Sequence, residues 1–180
     1  MMKLLLHMCC GPCSVYPSSV LQEEGICFEG LFYNPNIHPY EEFIKRKENV
    51  EVFAKAKDIS VTCIDEFRQE DWENYDNPQI NRCTMCYDIR LDKTAAFAKE
   101  KGFDAFTTTL LVSPYQNHEL IKELGEKYAK KHGVKFLYRD FRPGFRQGQQ
   151  QAKEIGLYRQ KFCGCIISFI DSQKRLNKKG

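Results

Sequence analysis

Residues Lys3-Leu4-Leu5-Leu6-His7-Met8-Cys9-Cys10-Gly11-Pro12-Cys13-Ser14 decide how this chain is read. The apolar run from Lys3 to Met8 has the length of a buried strand. Gly11-Pro12 breaks it. Cys9, Cys10 and Cys13 stand at its carboxyl end. Ser14 to Glu24 then has helical spacing, closed by Gly25, a residue suited to the left-handed position after a helix. A strand that ends in thiols and turns at once into a helix is the first half of a β-α-β unit.

The same alternation continues along the chain. Cys27 to Tyr33 reads as a second strand, and His38-Pro39-Tyr40 starts a helix with Phe43, Val50, Phe53 and Ala54 on one side. Ile59 to Ile64 is a third strand. Asp65 to Asn81 is polar and irregular, and its Trp72 reads as a packing residue, with base stacking as the other use. Asn81 caps a helix from Arg82 to Lys101, closed by Gly102, with Leu91, Ala95 and Ala98 as its apolar stripe. Ala105 to Val112 is a Thr-, Phe-, Leu- and Val-rich strand. Asn117 to His132 is an amphipathic helix closed by Gly133, and Val134 to Tyr138 is the fifth strand. A polar helix from about Gln147 to Glu154, then Cys163-Gly164-Cys165, then a helix to about Leu176 complete the chain. The pattern predicts an α/β fold: a Rossmann-like, doubly wound parallel sheet of about five strands. With 180 residues and no dividing linker, 1–180 is expected to be a single domain.

Composition narrows the function. Apolar residues are 42% and charged residues 28%, which is globular. Nine cysteines exceed ordinary usage, but an odd number cannot pair completely within one chain, and a core of this size needs no staples. No run approaches the roughly 18 apolar residues that span a bilayer. The three leucines near the start fall short of a secretory core of about 7–15 residues. Leu6-His7-Met8-Cys9 is a poor lipoprotein cleavage site. The expectation is a cytoplasmic protein with reduced thiols and no membrane partner. Net charge is +3, from 27 Lys and Arg against 24 Asp and Glu. The basic residues cluster at Lys45-Arg46-Lys47, Lys130-Lys131, Arg139/Arg142/Arg146, Arg159/Lys161 and Lys174-Arg175 with Lys178-Lys179. They suit either solvated helix faces or an RNA backbone.

Ligands of open parallel sheets bind beyond the carboxyl ends of the strands. Cys9, Cys10 and Cys13 lie there. Cys83 and Cys86 share one face at the start of a helix, where the backbone favours thiolate. Cys163 and Cys165 precede another helix. Cys27 and Cys63 lie within apolar strands and are expected in the core. One tetrahedral zinc takes four ligands, so seven thiols favour an iron–sulfur cluster with a second metal or a redox pair. Structural zinc and pure dithiol chemistry are the alternatives. Extended backbone would send Cys9 and Cys10 in opposite directions. Cys163 and Cys165 could close a strained disulfide fit for redox cycling, or act as ligands. Tyr33-Asn34-Pro35-Asn36-Ile37-His38-Pro39-Tyr40 and Ser113-Pro114-Tyr115-Gln116-Asn117-His118 fall on the same rim, with groups able to bind or protonate a substrate. Turn formation is the plainer use of the first, and β propensity that of Thr107-Thr108-Thr109. Arg139, Arg142 and Arg146 are placed for phosphate.

Five motifs in order carry a family resemblance: His7-Met8-Cys9-Cys10-Gly11-Pro12-Cys13-Ser14, Tyr33-Asn34-Pro35-Asn36-Ile37-His38-Pro39, Cys83-Thr84-Met85-Cys86-Tyr87, Thr107 to Pro114, and Leu157 to Cys165. From Lys3 to about Ser168 the chain resembles the QueH family, the cobalamin-independent epoxyqueuosine reductases. The resemblance implies reduction of epoxyqueuosine to queuosine in the anticodon wobble nucleotide of tRNA, the last step of queuosine biosynthesis, with the epoxide oxygen leaving as water. It implies a [4Fe-4S] cluster, an additional mononuclear iron, no cobalamin, and an unidentified low-potential electron donor. It also implies a fold of the adenine-nucleotide alpha-hydrolase (HUP-like) type. The phosphate-cradling glycine loop of that type is replaced here by Cys9-Cys10-Gly11-Pro12-Cys13, so no ATP use is expected. Carried onto this sequence, Cys9, Cys10, Cys83 and Cys86 are the cluster ligands. Cys13, where some family members carry an acidic residue, is the extra metal ligand. Cys163 and Cys165 are a redox pair or ligands of the second iron. His38, Tyr33 or Tyr115 protonates the leaving oxygen. A zinc-stabilised tRNA-binding module and a dithiol–disulfide oxidoreductase remain the rival classes.

Overall fold

A computed structural model of the chain describes residues 1–178. Five strands, β1 (Leu4–His7), β2 (Phe28–Phe32), β3 (Val61–Cys63), β4 (Ala105–Thr108) and β5 (Lys135–Phe136), form one sheet in the order β3-β2-β1-β4-β5. Every pairing is parallel. Strands of such a sheet are covered on both faces. Leu5 packs with Leu31, Leu91 and Phe106 on one face, whereas Leu4 and Leu6 pack with Val15, Phe43 and Phe53 on the other. The expected doubly wound α/β architecture is therefore present.

The helices are α1 (Gly11–Glu23), α2 (Tyr40–Ala56), α3 (Gln69–Glu73), α4 (Arg82–Glu100), α5 (His118–His132), α6 (Phe145–Glu154) and α7 (Ile166–Asn177). The Asn81 side chain accepts from the Thr84 amide at 2.8 Å and starts α4 as expected. Gly25, Gly102 and Gly133 follow α1, α4 and α5 with φ of +68°, +74° and +68°, which costs glycine nothing. Among the described residues no helix is long and apolar enough to cross a membrane.

Several expectations need correction. Gly11-Pro12 opens α1 and does not separate it from β1; proline fits the first turn because its missing N–H would have no helical partner. β4 ends at Thr108, and Thr109–Val112 coil into a 3₁₀ turn. The Thr108 hydroxyl accepts from the Leu110 amide at 3.1 Å and diverts the chain from the ladder. Cys27 is exposed in the turn before β2, and Cys63 is only half-buried on the three-residue edge strand, so neither is a core thiol. The irregular stretch contains α3, which buries Trp72 to 1% exposure against Cys86 and Ile166. Base stacking by Trp72 is thereby ruled out. Lys179 lies outside the described residues.

Candidate metal centre

The carboxyl ends of β1 and β4 open into a cavity of about 580 Å³ whose walls include Cys9, Cys10, Cys13, Cys83 and Cys163. Its size suits a small organic ligand or one nucleotide. Among the described residues no carboxylate lines it, whereas Arg46, Arg90, Lys161 and Arg175 do.

The sulfurs of Cys9, Cys10 and Cys13 lie within 4.8 Å of one another. Thiolates at about 2.3 Å from one ion stand roughly 3.8 Å apart in a tetrahedron, so a small movement seats a metal or a cluster edge. This corrects the expectation that Cys9 and Cys10 diverge. The chain leaves the strand after His7, and Cys10 becomes the N-cap of α1, its Sγ accepting from the Cys13 amide at 3.3 Å. The Asn34 amide holds the bend by donating to the Met8 carbonyl at 2.9 Å. Thr109 grips Cys9 twice, accepting from its amide at 3.0 Å and donating to its Sγ at 3.1 Å. Donation from Cys10, then Cys13, then Thr109 pulls the Cys9 thiol well below its usual value. Burial pushes Cys10 up, and hydrogen bonding to Cys10 and Cys9 pushes Cys13 up.

The other four thiols lie outside this trio. Cys83 and Cys163 face the cavity, Cys86 is buried behind it, and Cys165 stands away from the lining, its Sγ 3.7 Å from the Ser168 hydroxyl. The expected quartet of Cys9, Cys10, Cys83 and Cys86 is consequently split. Its first two members cluster with Cys13, and its last two belong with Cys163 and Cys165, whose charges both act on Cys86. All nine cysteines are free thiols.

The three expected proton donors separate. His38 is buried with both ring nitrogens engaged: Nε2 donates to the Pro35 carbonyl at 2.9 Å, and Nδ1 accepts from the Ile166 amide at 3.0 Å. It braces the loop after β2 against α7 and does not line the cavity. Tyr33 is also buried; its hydroxyl donates to Glu66 at 3.1 Å, and burial pushes it up to about 12. Tyr115 is 85% exposed and lines the mouth, edge-on to Phe145 at 5.9 Å.

Charge clusters separate as well. Arg139 pairs with Glu24 and Arg142 with Asp140, so neither is an open phosphate contact. Arg146 and Arg159 are exposed beside Tyr115 and, among the described residues, have no ion-pair partner. Arg46, expected on a solvated or RNA-facing surface, is 2% exposed. It pairs with Glu42 at 2.8 Å and donates to the Cys163 and Phe162 carbonyls at 3.0 and 2.9 Å. Gln160 completes the strap over the cavity, its amide donating to Cys10 Sγ at 3.0 Å. The sequence reading passed over Arg90; its place on α4, four residues from Cys86 and beside the apolar stripe, is the signal that would have found it.

The Epoxyqueuosine reductase QueH family model matches residues 4–171. The epoxyqueuosine reductase QueH of Dehalococcoides mccartyi is 37% identical over 170 residues, covering 92% of this chain and 92% of that protein. That of Thermotoga maritima is 33% identical over 183 residues, covering 96% and 93%. That of Haemophilus influenzae is 37% identical over 191 residues, covering 99% and 76%. Among solved structures, the U34-tRNA thiolase NcsA from Methanococcus maripaludis with its [4Fe-4S] cluster superposes with a TM-score of 0.58 at 15% identity, covering 98% of this chain and 65% of that one. A deacetylase of teicoplanin biosynthesis gives 0.53 at 9% identity, covering 85% and 83%. At such identities the likeness speaks for the fold alone, a parallel five-stranded sheet covered by helices. With five ordered motifs and a family match over nearly its whole length, the chain belongs to the epoxyqueuosine reductase QueH family.

Proposed function

We propose that the cysteines at this end of the sheet hold a [4Fe-4S] cluster and a neighbouring iron, and that the cavity beside them receives the epoxyqueuosine nucleotide of a tRNA anticodon arm. As a QueH family member the chain is an oxidoreductase that converts epoxyqueuosine to queuosine. The reaction takes up two electrons and two protons and releases the epoxide oxygen as water. The single observation that carries the metal reading is the meeting of three sulfurs within 4.8 Å at the floor of a cationic cavity.

The donor set fits such a centre: Cys9, Cys10 and Cys13 as a trio, Cys83 and Cys163 lining the same cavity, with Cys86 and Cys165 behind. When bound, it supplies electrons singly from a low-potential donor and a Lewis acid for the epoxide oxygen. The protein's own residues do the rest. Thr109 and Gln160 orient the sulfurs through hydrogen bonds. Lys161 and Arg175 at the walls, with Arg146 and Arg159 outside, attract the RNA backbone. Tyr115 is the expected proton donor that reaches the mouth, and its ring offers a face for a flanking base. A tRNA substrate supports a cytoplasmic location.

The test is anaerobic purification, with iron, zinc and acid-labile sulfide counted, followed by an assay on an epoxyqueuosine-containing anticodon stem-loop with a chemical reductant. Iron, sulfide and turnover support the reading. About one zinc per chain without turnover makes it a zinc-stabilised RNA-binding module. Metal-free reduction of disulfides makes it a dithiol oxidoreductase.

A further inference from the structure

Arg90 projects from α4 one turn beyond Cys86 and is 4% exposed. It lines the cavity together with Cys9, Cys83 and Cys163. Its Nε donates to the Cys86 carbonyl at 2.9 Å and its Nη2 to Cys86 Sγ at 3.4 Å. Among the described residues no carboxylate pairs with it. The acids nearest along the helix face away: Asp88 meets Lys127, and Asp92 meets Lys131 and His132. Arg46, the other buried arginine of the cavity, has Glu42.

A guanidinium withdrawn from water is costly unless an anion accompanies it. The anions within reach are thiolates. Tyr87 is the further titratable neighbour, its ring centroid 5.7 Å from the guanidinium. Cys86 Sγ, 3.4 Å from Nη2, is the sulfur the guanidinium touches, and Cys9, Cys83 and Cys163 share its cavity. Metal binding releases the thiol protons, and the thiolates gathered round the metal supply the negative charge the guanidinium lacks.

We propose that Arg90 is the fixed counter-charge of the cysteine site, stabilising metal-bound sulfur and raising the reduction potential of the centre held there. It is a positioning residue that acts through the sulfurs and touches no substrate. The inference rests on the reading of this cavity as a metal site, and is independent of the substrate. The sign follows from electrostatics: a nearby positive charge favours the state with one more electron.

Two replacements in the full-length chain separate this role from that of a helix brace. Arg90→Lys keeps the charge and loses the fork that grips the Cys86 carbonyl. Arg90→Gln keeps an amide donor and loses the charge. Zinc alone is the first probe, its affinity for the metal-free protein read by competition with a chromophoric chelator. The second readout is the midpoint potential of anaerobically purified, iron-loaded protein. A counter-charge predicts that Arg90→Gln weakens zinc binding about 10–100-fold and lowers the potential, by about 59 mV for a tenfold change in a one-electron equilibrium. Arg90→Lys stays near wild type in both. The opposite ranking, or wild-type affinity and potential in folded Arg90→Gln, overturns the proposal. If Arg90→Gln does not fold, Arg90→Met serves as the charge-free variant and is judged by the same two readouts. A protein that purifies without iron and sulfide counts against the iron–sulfur reading and leaves the zinc measurement able to judge Arg90.

Discussion

Replacing Arg46 with methionine is expected to unfasten residues 157–165 from the body of the protein. The side chain is 3% exposed and makes three polar contacts: to Glu42 and to the carbonyls of Phe162 and Cys163. Its guanidinium also lies 5.0 Å from the Phe162 ring centroid. Methionine preserves much of the apolar stem and removes all donors. Each charge-assisted bond is worth about 1.5–3 kcal/mol, but the sum overstates the loss. Glu42 keeps the Tyr158 hydroxyl at 3.0–3.1 Å, and the freed carbonyls can reach water. Removal of one partner of a buried pair costs about 3–5 kcal/mol, which is the expected loss in urea unfolding followed by Trp72 fluorescence. Domains of this size hold about 5–15 kcal/mol, so the variant folds with a loosened strap. Amide exchange should then accelerate at 157–165 and hardly change in β1 and β4. Glu42→Gln added to Arg46→Met should recover part of the loss, since it removes the stranded carboxylate. A loss under about 1 kcal/mol with unchanged exchange in the strap would refute the reasoning.

Cys83→Ala is expected to abolish epoxyqueuosine reduction and lower bound iron and sulfide while circular dichroism stays native; full activity sinks its assignment to the metal centre. Trp72→Ala opens a hole where α3, α4 and α7 meet and should cost about 3–5 kcal/mol in urea unfolding; a loss under 1 kcal/mol contradicts that packing. RNA affinity should fall steeply with salt, and Arg146→Ala and Arg159→Ala should each reduce the log–log slope by about one; unchanged slopes in both remove these residues from the interface. His118 is 5% exposed, with Nε2 2.9 Å from the Tyr138 hydroxyl, and burial, then Arg142, hold it below the usual histidine value. Below about pH 6.5 the unfolded chain takes up a proton that the folded chain resists, so stability falls with acidity. His118→Gln should flatten that fall between pH 7 and 5, and identical pH dependence would count against it.

Elements driven by local pattern were legible. The Lys3–Met8 run, the cap at Asn81, and the glycines after α1, α4 and α5 have causes within a few residues. Element ends were less so. Thr108 reads as a strand residue by propensity, yet its hydroxyl turns the chain into a 3₁₀ turn, and Cys27 looks apolar in a window that ends just before its strand. His38 and Tyr33 look like proton donors because their residue types carry that chemistry, but in the fold Pro35, Ile166 and Glu66 engage their polar atoms. One of these partners is 128 residues away, and no window on the sequence contains it.

By itself the sequence determined the alternation of strands and helices, the surplus of thiols at element ends, and the family to which the motifs point. These depend on side-chain periodicity, local capping and residue type. Only the tertiary structure decided which thiols meet. Parallel pairing of β1 with β4 brings Thr109 onto Cys9 from 100 residues away, the strap carries Gln160 onto Cys10 from 150, and α4 leaves Arg90 facing sulfur without a carboxylate. Contacts across such separations are set by how the layers pack, and burial then turns ordinary residue types into a charged, metal-seeking site.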